Sequence, residues 1–311
     1  MGKNDFFKDL PRRGAKHLLA TMAWTAFCTG TVYAQEWIDV TDTYITNADF
    51  STGTTDGWDA GTALPGVNAT WLNAEFFQSY NSASQNVLGL KAGHYKLTVQ
   101  GFHRAGGNDN GAAYNAGTEV INAYLFAGKD SVKLKSLYSE PADASVANQL
   151  NGWPDGMEGL NAWLTKYPES YLNEVTFTVQ QDGSDMLMGI ASNTNAGKTW
   201  SCWDNFKLYF EGSAFDAFSV KISKLETLRD SLETLGIASA SELTALVEQY
   251  GSYNENTPEE EIAAASVILE ENTATALGLC TKGAELTASM AKATGLLTHC
   301  LLYTSPSPRD T

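Results

Sequence analysis

The side chains in this chain best suited to holding a ligand are aromatic residues set among small polar ones. Trp71, Tyr114, Trp153, Trp163 and Trp200 stand in or beside segments rich in Asn, Asp and Gly. An exposed ring stacks on the apolar face of a sugar, while nearby amides and carboxylates bond its hydroxyls. Asn151-Gly152, Asn115-Ala116-Gly117 and Asn195-Ala196-Gly197-Lys198 are poor company for a core. Trp153, Tyr114 and Trp200 are therefore expected to form a stacking platform, with Trp71 beside them. Trp163, at helical spacing from Leu160 and Leu164, reads as packing, and Trp58 and Trp203 read as core anchors.

Signals for catalysis are sparse. The four histidines (His17, His94, His103 and His299) have no metal-ligand spacing. There is no Gly-x-Ser-x-Gly elbow, no HExxH and no phosphate loop. Glycoside hydrolysis needs only two carboxylates at a set separation, and Glu140, Asp155 and Glu158 lie on one long excursion, but their spacing singles none of them out. Asn108-Asp109-Asn110-Gly111 resembles part of an EF-hand loop, yet Gly106 and Gly117 fill its end ligand positions, so that reading fails. Arg104, at the end of a predicted strand, is expected to pair with Glu75 or Asp204 in preference to clamping an acidic sugar, because buried charges are normally paired.

The elements that must position these residues are organised around Leu88–Arg104. Tyr95, Leu97 and Val99 alternate with His94, Lys96, Thr98 and Gln100, the period of a strand with one buried face. Gly101 before Phe102 breaks the pattern and predicts a bulge or bend. Short strands are predicted over Trp37–Val40, Thr43–Ile45, Val120–Ala127, Val132–Leu137, Glu174–Val179, Met186–Ile190 and Trp203–Phe210, divided by Gly, Asn and Asp turns. Tyr138–Lys166 reads as a long excursion holding a short helix over Met157–Trp163, and such loops often carry binding residues.

After Gly212 the period changes. Phe215, Phe218, Ile222, Leu225, Leu228, Leu232 and Leu235 recur at three and four, an amphipathic helix ending before Gly236. Ser239 or Ser241 caps a second helix through Tyr250, and Thr257-Pro258-Glu259 opens a third. Residues 213–299 are thus expected to form a helical bundle, as a spacer or interaction region or simply a small packed domain.

Both ends stand apart. Lys3, Lys8, Arg12, Arg13 and Lys16 precede a short apolar run to Cys28, and Val32-Tyr33-Ala34 suits a signal peptidase. Residues 1–34 are read as a signal peptide cleaved after Ala34, too short in its apolar run for a transmembrane anchor. The protein is expected to be secreted, periplasmic or on the cell surface. At the other end, Cys300–Thr311 (CLLYTSPSPRDT) resembles the translation of a sequencing-library transposon end. Residues 300–311 are therefore expected to be an artefactual, unstructured tail on a truncated chain, leaving room for a catalytic domain downstream.

The formal charge of −16 disfavours nucleic acid and anionic membranes, which need a basic patch. Of the four cysteines, Cys28 and Cys300 lie in these end segments, so Cys202 and Cys280 give no disulfide framework.

One ordered set of motifs carries a resemblance. N-A-D-F…G-W, A-E-F-F, Q-x-x-x-x-L-x-A-G-x-Y-x-L-x-V-x-G-F-x-R, Y-L-F-A, V-T-F-T-V and W-D-N-F-K-L-Y-F, spread over residues 36–212, together resemble the galactose-binding-like jelly-roll modules of secreted bacterial polysaccharide-processing proteins, which include many carbohydrate-binding modules. The resemblance implies an antiparallel jelly-roll β-sandwich over residues 35–212. It also implies a structural Ca²⁺ shared between a segment near the first strand and an acid on the last, where Asn47, Asp49 and Asp204 stand. The expected function is non-catalytic binding of a polysaccharide or other glycan. The alternatives are a structural or adhesion domain that binds protein or nothing, and a glycoside hydrolase or a fragment of one.

Overall fold

The computed structural model describes residues 36–59, 66–67 and 70–303. The expected signal peptide, its expected cleavage site and residues 304–311 lie outside them. The described residues divide into two compact units, Glu36–Glu211 and the residues from Gly212 onward.

In the first unit the elements are β1 (Glu36–Asp39), α1 (Thr41–Tyr44), β2 (Gly66–Val67), β3 (Ala74–Phe77), β4 (Tyr80–Leu90), β5 (Gly93–Arg104) and α2 (Ala112–Asn115). They continue as β6 (Ala123–Ala127), β7 (Asp130–Lys133), β8 (Lys135–Ser136), β9 (Gln149–Leu150), β10 (Trp153–Pro154), α3 (Met157–Lys166), β11 (Leu172–Val179), β12 (Ser184–Asn193) and β13 (Trp200–Gly212). A seven-stranded sheet has the order β11-β5-β13-β3-β2, with β1 beside β13 and β8 beside β5. A four-stranded sheet has the order β4-β12-β6-β7. Pairing is antiparallel along β11-β5-β13-β3-β2 and along β4-β12-β6-β7, and the short β5–β8 contact is parallel. This is the expected jelly-roll sandwich. Alternate residues of both sheets are buried: Tyr95, Leu97 and Val99 on one, Leu125, Met188 and Ile190 on the other. Ring pairs tie the interior together, among them Tyr95–Phe177 at 5.3 Å, Phe76–Trp203 at 4.7 Å and Trp58–Phe206 at 4.6 Å.

Three local expectations are corrected. Thr43 and Tyr44 belong to the helical turn α1, whose start is held by Asp39 accepting from the Thr41 amide at 2.9 Å. Gly101 neither bulges nor bends β5; the register shift lies in β13 between Asp204 and Lys207. Gly101 is needed for proximity, because a Cβ there would sit 2.6 Å from the Cys202 carbonyl oxygen. The long excursion is also no open binding loop. Phe102, Trp200 and Cys202 on the outer face of the larger sheet join Leu137, Tyr138, Val146, Trp153, Leu160, Trp163, Leu164 and Tyr171 in a second buried cluster. Polar residues occupy the outward positions of β5 as far as Gln100, and the apolar Phe102 begins where α3 and its flanks cover the sheet.

In the second unit, α4 (Ala214–Thr234), α5 (Ala240–Tyr250) and α6 (Glu259–Tyr303) pack about Phe218, Leu225, Leu232, Leu243, Ile262 and Leu269. A capping box between Ser213 and Asp216 starts α4, and Gly236 at φ 68° follows its end. Leu286, Met290 and Leu296 on α6 are exposed. α6 includes residues 300–303, the start of the expected tail, and the rest of that tail lies outside the described residues. No helix among the described residues is long and apolar enough to cross a membrane.

Candidate functional site

Two rings of the expected platform are packing residues. Trp153 is 9% exposed; its Nε1 donates to the Glu140 carbonyl at 3.0 Å and its ring meets Tyr138 edge-on. Trp200 is 3% exposed, meets Phe102 edge-on, and donates from Nε1 to Glu75 Oε2 at 2.6 Å. Neither has a face free for a sugar. Tyr114, on α2, keeps 41% of its surface. Trp71 is half-buried, with its carbonyl accepting from Asn161 of α3.

The charges around Trp200 serve the same packing. Arg104 donates to Asp155 at 2.6 Å and to the Gly106 carbonyl at 3.1 Å, and its guanidinium lies 5.1 Å from the Trp200 ring centre. Its partner is thus Asp155, supplied by the excursion, instead of Glu75 or Asp204. Burial raises the Glu75 carboxyl above its usual range, opposed by the Trp200 N–H. Glu140 accepts from the Ser170 hydroxyl. Asp155 and Glu140 of the excursion are thus committed to structural contacts. His103 Nδ1 lies 2.9 Å from Ser201 Oγ, but the imidazole is sealed in the core. Burial, helped by the Arg104 charge, lowers its pKa to about 4. This Ser–His contact has no route to a substrate.

Asp49 and Asp204 do come together. Phe206 N–H donates to the Ala48 carbonyl at 2.9 Å, holding the two segments side by side. Asp204 is buried, and its pKa is pushed up to about 7 by desolvation, with the Asp49 charge adding and the Asn205 N–H opposing. Asn47, at φ 53°, spends its amide inside its own loop, accepting from Thr52 N and donating to the Thr54 carbonyl. No group of three or more His, Cys, Asp or Glu gathers among the described residues. The two carboxylates still suit a hard cation in donor type, with carbonyls and water completing the shell.

The outer face of the four-stranded sheet combines aromatic rings with polar groups. Register places Ser82 opposite Ala191 and Ala191 opposite Tyr124; the next row is Ser84, Gly189 and Phe126. These residues point outward, because their neighbours Ala83, Ile190 and Leu125 point into the core. The Asp59–Ser84 bridge adds a further backbone at the β4 edge. Ser82, Ser84, Gly189 and Ala191 make a floor of small residues, half-buried at Ser82 and Ala191 and buried at Ser84 and Gly189. Half-buried Tyr124 and Phe126 rise on one side, and Tyr80, 70% exposed, stands beside Asn193 at one end. Asn86 and Lys133 supply polar edges. The result is a shallow trough about two strand spacings, or about 10 Å, across. Gly189 is required there, because a Cβ would lie 2.0 Å from the Ala83 carbonyl oxygen. Sequence reasoning missed this face. The signal was Y-x-F in A-Y-L-F-A, two aromatics on the outward phase of a strand.

No protein-family model matches this chain, and no curated protein matches it. Several solved structures are similar. TmCBM61, solved in complex with β-1,4-galactotriose, is 14% identical, with 54% of this chain and 98% of that chain covered and a TM-score of 0.31. The CBM22-1 xylan-binding domain of Paenibacillus barcinonensis Xyn10C is 14% identical, covering 53% and 94%, with a TM-score of 0.27. The Stig cyclase Fisc from Fischerella sp. TAU, in complex with an indole ligand, is 14% identical, covering 57% and 100%, with a TM-score of 0.29. Carbohydrate-binding modules are thus among the similar solved folds. The sandwich assignment itself rests on the strand order and register of this chain.

Proposed function

We propose that the sandwich is a non-catalytic glycan-binding module, exported to the periplasm, cell surface or medium and carried by a larger polysaccharide-processing or surface protein. The observation that carries this reading is the trough on the four-stranded sheet. Tyr124 and Phe126 offer ring faces over a floor low enough to admit a sugar chain. Asn86, Asn193, Asp59 and Lys133 are placed to bond its hydroxyls. Tyr114 and Trp71 are the members of the expected platform that keep exposed surface and take a secondary part. Asp49 and Asp204 hold a structural Ca²⁺, and the helical unit is a spacer to a neighbouring domain.

The test is electrophoresis of the chain through gels containing xylan, galactan, mannan or β-glucan. Retardation by at least one polysaccharide, lost in Tyr124→Ala/Phe126→Ala, supports the reading. Retardation that survives the double variant removes the trough from it. No retardation in any gel leaves the structural or adhesion reading in its place.

A further inference from the structure

Where β11 of the larger sheet meets the β6–β7 end of the four-stranded sheet, the sandwich carries a cleft of about 530 Å³ that the trough does not explain. That volume lies within the ordinary range of small-ligand sites, about 300–1,000 Å³. One wall is Trp37 of β1, 41% exposed, an unusual state for an indole. Its ring is not loose. Lys96 Nζ sits 4.7 Å from the ring centre, and Lys96 is held in turn by Glu174 at 3.5 Å and by the Tyr209 ring at 5.3 Å. Across from Trp37 stand Thr176 and Thr178 of β11, with Thr178 Oγ1 fixed at 3.0 Å from His94 Nδ1. Lys129 from the β6–β7 turn, Asp130 at the start of β7 and Glu211 near the end of β13 close the rim.

We infer that this cleft binds one or two pyranose units of a neutral sugar. Trp37 stacks on the C–H face of the ring, and the threonine hydroxyls and rim carboxylates bond its hydroxyls. The site shares no residue with the trough and does not depend on it. With both occupied, one chain engages a polysaccharide at two sites, which raises avidity without new contacts at either.

The test labels the full chain with 5-fluorotryptophan and follows ¹⁹F resonances during titration with the methyl β-glycosides of galactose, glucose and xylose. The resonance missing from Trp37→Phe is that of Trp37. The expected result is a saturable shift of that resonance with at least one glycoside, weakened at least threefold by Thr178→Val. The same shift persists in Tyr124→Ala/Phe126→Ala. No shift with any of the three, a shift that never saturates, or one lost in the trough double variant overturns the inference. Because the trough variant is read separately on polysaccharide gels, failure at one site is distinguishable from failure at the other.

Discussion

At the residue scale, Trp153 and Trp200 show why an aromatic residue in polar company is an ambiguous signal. Local composition reports the loop but not what folds over it, and here Leu160, Trp163 and Tyr171 arrive to bury both rings. Trp200→Ala should therefore destabilise the sandwich by about 3–5 kcal/mol, also removing the N–H bonded to Glu75. Urea unfolding checks this; unchanged stability together with lost glycan binding would reverse the assignment. Asp204 gives a second prediction. Unfolded, it titrates near 3.9, whereas in the fold its pKa is about 7. Between those values the folded chain keeps a proton that the unfolded chain has released, so this group lowers stability as pH rises through the window. His103 contributes the opposite slope between about pH 4 and its unfolded value of about 6.5, so the comparison must isolate Asp204. Asp204→Asn should gain on the parent protein in thermal melts in EDTA as pH rises from 4 to 7. The proposed Ca²⁺ would hold Asp204 ionised, so on that proposal added Ca²⁺ should raise the parent's melting temperature and flatten that slope. A melt indifferent to both Ca²⁺ and EDTA rules the ion out.

At the scale of elements, legibility followed the chemistry of the alternation. β5, β11 and β13 carry Val, Leu, Phe and Tyr on their inward phase and were readable. β4, eleven residues long, was missed because Tyr80–Leu90 alternates through Ser, Ala, Asn and Gln, with Ala83 and the polar Gln85 facing inward. Gln85 is affordable inside because its side chain exchanges two bonds with the Thr46 backbone, at 3.0 and 2.6 Å. The missed strand forms one side of the trough, so the candidate site was hidden along with it. Gly189→Ala tests how closely β4 and β12 pack. With φ at 159° and the carbonyl of Ala83 in the way, one methyl group must displace β4, and the melting temperature should fall by several degrees. An unaltered melt would mean the strands have slack. In the helical unit, Ser213→Ala breaks the capping box and should cost about 1 kcal/mol, read from helix unfolding by circular dichroism.

At the scale of the whole molecule, the change of period near Gly212 was plain in the sequence, and the structure divides its described residues between Glu211 and Gly212. Net charge and motif content bear on the kinds of partner, but the proposed glycan face is assembled from β4, β6 and β12, whose pairing no local pattern announces. On the proposed function, this assembled face binds polysaccharide. The most direct measurement is the affinity of the full chain for its best-retained polysaccharide, by isothermal titration, beside that of Tyr124→Ala/Phe126→Ala. Outward rings contribute little to the core, so the variant should melt within a few degrees of the parent while its affinity falls at least tenfold. Equal affinities in two equally folded proteins would contradict the claim.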